Sequence, residues 1–139
     1  MDLLTRESDD HGQIFESIAF FKQSLAAISV EDYGYIRKVK AFIAQSIVAH
    51  FAYEESKIFR LILANGTLAE KKIIRDLQIE HINVLKEVDV FNDLVRLYNH
   101  GEKVSIKEMR AVIKGMISLM LKHARYEDQK LFPIIKAYQ

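Results

Sequence analysis

Apolar residues recur every three or four positions along four stretches of this chain, and short polar breaks separate the stretches. The first stripe reads His11, Ile14, Ile18, Phe21, Leu25 and Ile28. The second reads Ile36, Val39, Ile43, Ile47, His50, Glu54, Ile58 and Leu61. The third reads Ile74, Leu77, His81, Val84, Val88, Phe91 and Val95, and the fourth Ile106, Met109, Ile113, Met116, Met120, His123, Glu127, Leu131 and Ile134. Steps of three and four are the period of a helix with one face against a core. The breaks carry their own signals. Polar capping residues interrupt the first stripe at Ser29 to Asp32. Asn65-Gly66 is a helix stop followed by Thr67-x-x-Glu70, and Asn99-His100-Gly101 is a stop followed by Ser105-x-x-Glu108; both four-residue patterns read as capping boxes. The pattern predicts helices near 5–28, 32–64, 68–99 and 105–138, with Pro133 bending or ending the last. Four amphipathic helices on short connections make an all-α, antiparallel up-down-up-down four-helix bundle, expected to form one domain over 1–139.

The polar exceptions lie inside the stripes. His11, His50, Glu54, His81, His123 and Glu127 stand where Leu or Ile is expected, and each helix contributes one histidine. Counting from the turns compares their heights. His11 lies 19 residues before a turn near residue 30 and His50 lies 20 after it; His81 and His123 each lie 21 from a turn near residue 102. Helices rise about 1.5 Å per residue, so all four imidazoles fall in one layer, with Glu54 and Glu127 about one turn away. The stretches HFAYEESKIF (50–59) and HARYEDQKLF (123–132) echo one another, and His11 matches His81, so the chain reads as two copies of one hairpin.

Composition narrows the chemistry. Five glycines and one proline in 139 residues favour long helices. The absence of cysteine removes disulfides, thiolate ligands and a thiol nucleophile. A net charge of +1 with dispersed basic residues argues against nucleic acid as the main partner. No stretch has the length of a signal-peptide core or a membrane span, so a cytoplasmic protein without membrane attachment is expected. A homo-oligomer is compatible with this composition.

Four imidazoles and two carboxylates suit a first-row divalent metal such as iron, manganese, zinc or cobalt. One tetrahedral zinc leaves two of these groups idle. Six fit a dinuclear site better, with Glu54 and Glu127 bridging and two histidines capping each metal. A lone histidine on an apolar stripe is ordinarily a core residue with a backbone partner; four in one layer with two carboxylates in phase each need a separate explanation under that reading. Glu55 and Asp128 turn about 100° away from the stripe and read as solvated surface, with Asp128 also able to assist Glu127. Asp10 and Glu80 each precede a stripe histidine and read as surface residues or as partners behind a ligand. Tyr53 and Tyr126 read as packing at the helix boundary, with a hydrogen bond into the site as the sharper alternative. The methionines read as core filler, and His100 as an exposed cap.

These motifs resemble the hemerythrin-like (HHE cation-binding) domains: an early His11, His50-x-x-x-Glu54-Glu55 with a trailing Phe59, Glu80-His81, and His123-x-x-x-Glu127-Asp128 with Leu131-Phe132-Pro133. The resemblance covers nearly the whole chain. It implies a hemerythrin-like bundle holding two iron ions as a non-haem, oxo- or hydroxo-bridged centre, with zinc or manganese as alternatives. His11, His50, His81 and His123 become terminal ligands, and Glu54 and Glu127 the bridges. The implied partner is dioxygen or another small diatomic or peroxide ligand. Oxygen-carrying members have a fifth histidine from a His-x-x-x-His pair on the third helix. Here the positions four away from His81 are Leu77 and Leu85. That departure implies a more symmetric site open at both metals, with Glu80 and Asp128 as candidates to fill the gap.

Two functions follow. A binding protein stores, delivers or senses dioxygen or a related ligand. A di-iron oxidase, peroxidase or iron-handling enzyme is the alternative, motivated by the absent histidine. A structural bundle with a zinc or empty layer is the third reading.

Overall fold

The computed structural model describes residues 2–27 and 33–138. The predicted break at Ser29 to Asp32 and the stripe residue Ile28 lie outside the described residues. Helix α1 spans Leu3–Ser24 and passes into a 3-10 turn at Leu25–Ala27. It starts earlier than the predicted boundary because Asp2 caps it, its carboxylate accepting the Thr5 N–H at 2.7 Å.

The second arm of the bundle is continuous over residues 33–65 but not uniformly α-helical. It runs through α2 (Tyr33–Phe42), a π-helical turn (Ile43–Val48), α3 (Ala49–Tyr53), a second π-helical turn (Glu54–Phe59) and α4 (Arg60–Asn65). A π-turn closes its hydrogen bonds over five residues and so takes up extra sequence. Its effect is visible in the stripe. After Ile58 and Phe59 the next buried residue is Ile62, not the predicted Leu61. The two wide turns flank the segment that carries His50, and Glu54 opens the second.

The arm ends where predicted. A Cβ on Gly66 would meet the Ile62 carbonyl oxygen at 2.6 Å, so only glycine allows the chain to leave the helix there. The third arm is α5 (Leu68–Asn99), opened by a complete capping box between Thr67 and Glu70. His100 caps its C-terminus, exposed as predicted, and Gly101 follows with φ of 76°, a left-handed value that suits glycine. The fourth arm comprises α6 (Ile106–Lys130) and α7 (Phe132–Ala137). The Ser105 hydroxyl accepts the Glu108 N–H at 3.2 Å, half of the predicted box. Pro133 stands in the first turn of α7, and the break falls at Leu131, four residues beyond Glu127.

The arms form the expected antiparallel four-helix bundle. Its interior has two apolar clusters. The larger includes Ile14, Ile47, Val84, Phe91, Ile113 and Met120; the smaller includes Ile58, Phe59, Ile62, Ile74, Leu77, Leu131 and Ile135. Met109, Met116 and Met120 are buried filler. Ile106 is the exception in its stripe: it opens α6 and is 42 % exposed. Tyr53 and Tyr126 pack on the smaller cluster, with the Arg6 guanidinium 4.0 Å from the Tyr53 ring centroid. Among the described residues no helix is long and apolar enough to cross a membrane.

The cap and the stop give a direct check on this reading. Thr67→Ala removes the acceptor for the Glu70 N–H and is expected to lower stability by about 1 kcal/mol. Gly66→Ala forces a backbone clash and is expected to lower it further. Urea unfolding of both variants measures the order.

Candidate metal centre

Between the two apolar clusters lies a layer of seven buried ionisable residues: Glu7, His11, His50, Glu54, His81, His123 and Glu127. The six predicted from sequence are all present and all face one another. Glu54 Oε1 is 3.0 Å from His81 Nε2, and its Oε2 is 3.3 Å from His50 Nε2. One carboxylate thus offers an oxygen to each hairpin. Glu127 Oε1 lies 3.1 Å from His11 Nε2 and 3.4 Å from His123 Nε2, again reaching both hairpins. The Nε2 atoms of His81 and His123 are 3.1 Å apart.

Four carboxylates on the rim set the tautomers. Asp10 takes His50 Nδ1 at 3.1 Å, Glu55 takes His81 Nδ1 at 3.0 Å, Glu80 takes His123 Nδ1 at 2.8 Å and Asp128 takes His11 Nδ1 at 2.7 Å. A carboxylate only accepts, so each Nδ1 carries a proton and each Nε2, the atom left for a metal, points inward. The contacts form a closed circuit. Each arm supplies one imidazole to the layer and one acid to the histidine of the next arm. Glu55 and Asp128 therefore correct the sequence reading of them as solvated surface. Each is partly exposed, but one oxygen turns in to hold an imidazole, because residues beside a buried helical position sit at the groove towards the neighbouring arm. Gln78 steadies Glu55 through a 3.1 Å hydrogen bond to its second oxygen. With the rim acids engaged at Nδ1, neither Glu80 nor Asp128 joins the inner group of donors.

Glu7 was not anticipated. It is fully buried, one helical turn before His11, with Oε2 3.6 Å from His11 Nε2. The polar run from Thr5 to Asp10 hid it, since the stripe was begun at His11. Two signals were available: Glu7 and His11 are four apart on one helix face, and the hairpin repeat maps residue 7 onto Leu77, a stripe position. The inner donors accordingly fall into two overlapping groups, Glu7, His11, His50, Glu54 and Glu127, and Glu54, His81, His123 and Glu127, with the donor atoms of each group within 4.8 Å of one another. The even division expected from the missing fifth histidine gives way to five donors on one side and four on the other.

The layer fits bound metal cations. Both oxygens of Glu7, Oε2 of Glu54, Oε2 of Glu127 and Nε2 of His50 are buried without a hydrogen-bond partner. Buried lone pairs facing one another in this way are strongly unfavourable. A transition metal bound to imidazole nitrogen at about 2.0–2.1 Å places neighbouring donors roughly 3 Å apart, the scale of the Nε2–Nε2 and Nε2–Oε contacts seen. With protein groups alone, the layer balances its charge through protons. Burial, reinforced by the Glu127 charge, holds the Glu54 carboxyl well above its ordinary value, and burial raises Glu7. Burial also opposes ionisation of Glu127, but the His123 charge and the hydrogen bonds around it take that carboxyl well below the usual range. His50 is raised to about 10: burial opposes its charge, and the Asp10 hydrogen bond together with the nearby Glu127 and Glu7 carboxylates outweighs burial. Burial and the His123 charge push His81 down to about 3. Divalent cations replace such protons and satisfy the lone pairs together.

The packing around the layer is aromatic. His81 stacks on Phe51 at 3.7 Å between centroids and on Phe59 at 5.2 Å, and His11 meets Phe132 at 4.9 Å. These rings exclude water and leave each imidazole little freedom to rotate.

Removing one inner donor leaves the remaining charges buried and unmatched. His50→Ala and Glu127→Ala are expected to lose bound metal, measured by elemental analysis of purified protein. Asp10→Asn, which weakens the hold on His50 Nδ1, is expected to retain the metal with about 10–100-fold lower affinity in a chelator competition. His100→Ala, outside the layer, is expected to change neither quantity.

No curated protein sequence and no solved structure gives a match. The family model of the hemerythrin HHE cation binding domain matches residues 2–135, a span that takes in all four arms and every inner donor. The chain belongs to the hemerythrin HHE cation-binding domain family.

Proposed function

We propose that this protein holds two iron ions in the buried layer and uses them to bind dioxygen or a related small ligand, for storage, delivery or sensing. The observation that carries the proposal is the pair of overlapping donor groups that share Glu54 and Glu127. Two shared carboxylates between two histidine pairs are the donor arrangement of a dinuclear centre, and the nitrogen and oxygen donors suit iron. His11 and His50 would hold one ion and His81 and His123 the other, with Glu54 and Glu127 within reach of both. Bound iron supplies reversible redox chemistry and an affinity for small ligands.

The chain's own groups determine what reaches it. Every inner donor is at most 3 % exposed, so a bulky substrate has no path to the layer. A cleft between the second and third arms, lined by Val48, Phe51, Gln78, His81 and Ile82, reaches one edge of the layer. Its walls are largely apolar, which suits a small uncharged molecule. The rim acids keep each Nδ1 protonated and each Nε2 free to bind metal, so the ligand set needs no rearrangement when the charge on the centre changes.

The alternative, a di-iron oxidase or peroxidase or an iron-handling enzyme, is favoured by one observation: the positions four residues either side of His81 are Leu77 and Leu85, where the resemblance to oxygen carriers implies a further histidine. A spectrum separates the two. Protein purified without oxygen is expected to contain two iron atoms per chain, to gain oxo-di-iron absorption in air, and to lose it on removal of oxygen. Steady consumption of hydrogen peroxide or Fe(II) faster than iron in buffer is the enzyme's signature. Absence of stoichiometric iron defeats both readings.

A further inference from the structure

We infer that Glu7 is a terminal ligand to one ion of the pair, and that it makes the two metal positions unequal. The position built on the first hairpin binds first and tightly; the position built on the second is the exchangeable one. This rests on the dinuclear reading above.

The argument begins with the repeat. Asp10 and Glu80, and His11 and His81, are related by an offset of 70 residues; His50 and His123, Glu54 and Glu127, and Glu55 and Asp128 by an offset of 73. Each pair has the same role in the two hairpins: rim acid, inner histidine, shared carboxylate. The offset of 70 takes Glu7 to Leu77. At this one place the two-fold plan is broken, by a carboxylate on one side and a hydrocarbon on the other.

Glu7 is also unlike the four rim acids. Each of them has a Nδ1 proton to accept and reaches partly into solvent. Glu7 is fully buried, and neither of its oxygens has a hydrogen-bond donor. Its neighbours are His11 Nε2, 3.6 Å from one oxygen, His50 Nδ1, 3.8 Å from the other and already held by Asp10, and the Glu54 carboxyl. Two carboxylates side by side in an apolar interior repel unless a proton or a cation lies between them. Glu7 sits within the donor group of His11, His50, Glu54 and Glu127, and that group can share one cation. Leu77 is equally buried but belongs to the smaller apolar cluster, and it offers no lone pair. The first position therefore has five protein donors and one more negative charge; the second has four donors beside an apolar wall. More charge and more donors hold a divalent cation more tightly, and fewer donors leave a coordination position open to exchange.

The test is a Co(II) titration of full-length protein stripped by a chelator, followed by visible absorption. Wild type is expected to fill in two steps separated by at least about tenfold in affinity. Glu7→Leu gives both hairpins the same residue. It is expected to keep a stoichiometry of two while weakening the first step until the two steps merge. Glu7→Gln keeps the shape without the charge and is expected to fall between them. Thermal melting of the stripped proteins supplies a second readout. Glu7→Leu removes an unmatched buried carboxylate, so the stripped variant is expected to melt higher than stripped wild type, while its cobalt-loaded form gains less from metal. A first step of unchanged affinity in Glu7→Leu overturns the assignment of Glu7 and leaves the dinuclear reading standing. Wild type that takes up fewer than two Co(II) ions overturns both.

Discussion

A layer of charge inside an apolar bundle is the constraint on which this structure turns. Seven ionisable side chains lie between two hydrocarbon clusters, where water cannot reach them. Such a layer persists only if each proton, lone pair and charge has a match. The protein meets that demand in two tiers. On the rim, four carboxylates each take an imidazole Nδ1. Inside, the Nε2 atoms and carboxylate oxygens face one another with several lone pairs unmet, an arrangement that protein groups alone do not resolve and that cations do.

The local structure of the second arm follows from the same demand. His50 and Glu54 must both face the layer, and their arm must also present Ile43 and Ile47 to one cluster and Ile58 and Ile62 to the other. A uniform α-helix drifts away from a four-residue spacing, because 3.6 residues complete a turn. The π-turns at Ile43–Val48 and Glu54–Phe59 absorb that drift. The fourth arm reaches a related end differently. It stays α-helical through His123 and Glu127 and then breaks at Leu131, and a new helix starts at Phe132 with Pro133 in its first turn. The two hairpins thus share the histidines, shared carboxylates and rim acids of the layer, and differ at Glu7 and in the backbone that carries it.

The circuit of rim acids gives the bundle a directional order. Each acid stands next in sequence to an inner donor of its own arm, yet serves the histidine of the adjacent arm. The position of any one imidazole therefore depends on two helices, and a shift of one arm is felt at the ligand of another. This couples the metal centre to the packing of the whole bundle.

Four stripes, their breaks and six polar exceptions were legible in the sequence. The helical period and the turn chemistry are local, and a His or Glu at a stripe position announces burial by itself. Heights counted from the turns brought the four histidines into one layer because helical rise is uniform enough over about 20 residues. Three things required the tertiary structure. The partners of Glu55 and Asp128 lie across a groove on another arm, so no spacing within one helix could reveal them. Leu61 gives way to Ile62 because a π-turn resets the phase, and hydrogen bonding over five residues leaves no mark in the hydropathy pattern. Glu7 lay in a polar run whose burial depends on where α1 begins and on which arms cover it. The sequence alone determined that the chain forms a helical bundle with a charged layer inside; only the packed arms decided that the layer is uneven, since that unevenness comes from one carboxylate placed opposite one leucine by residues far apart in the chain.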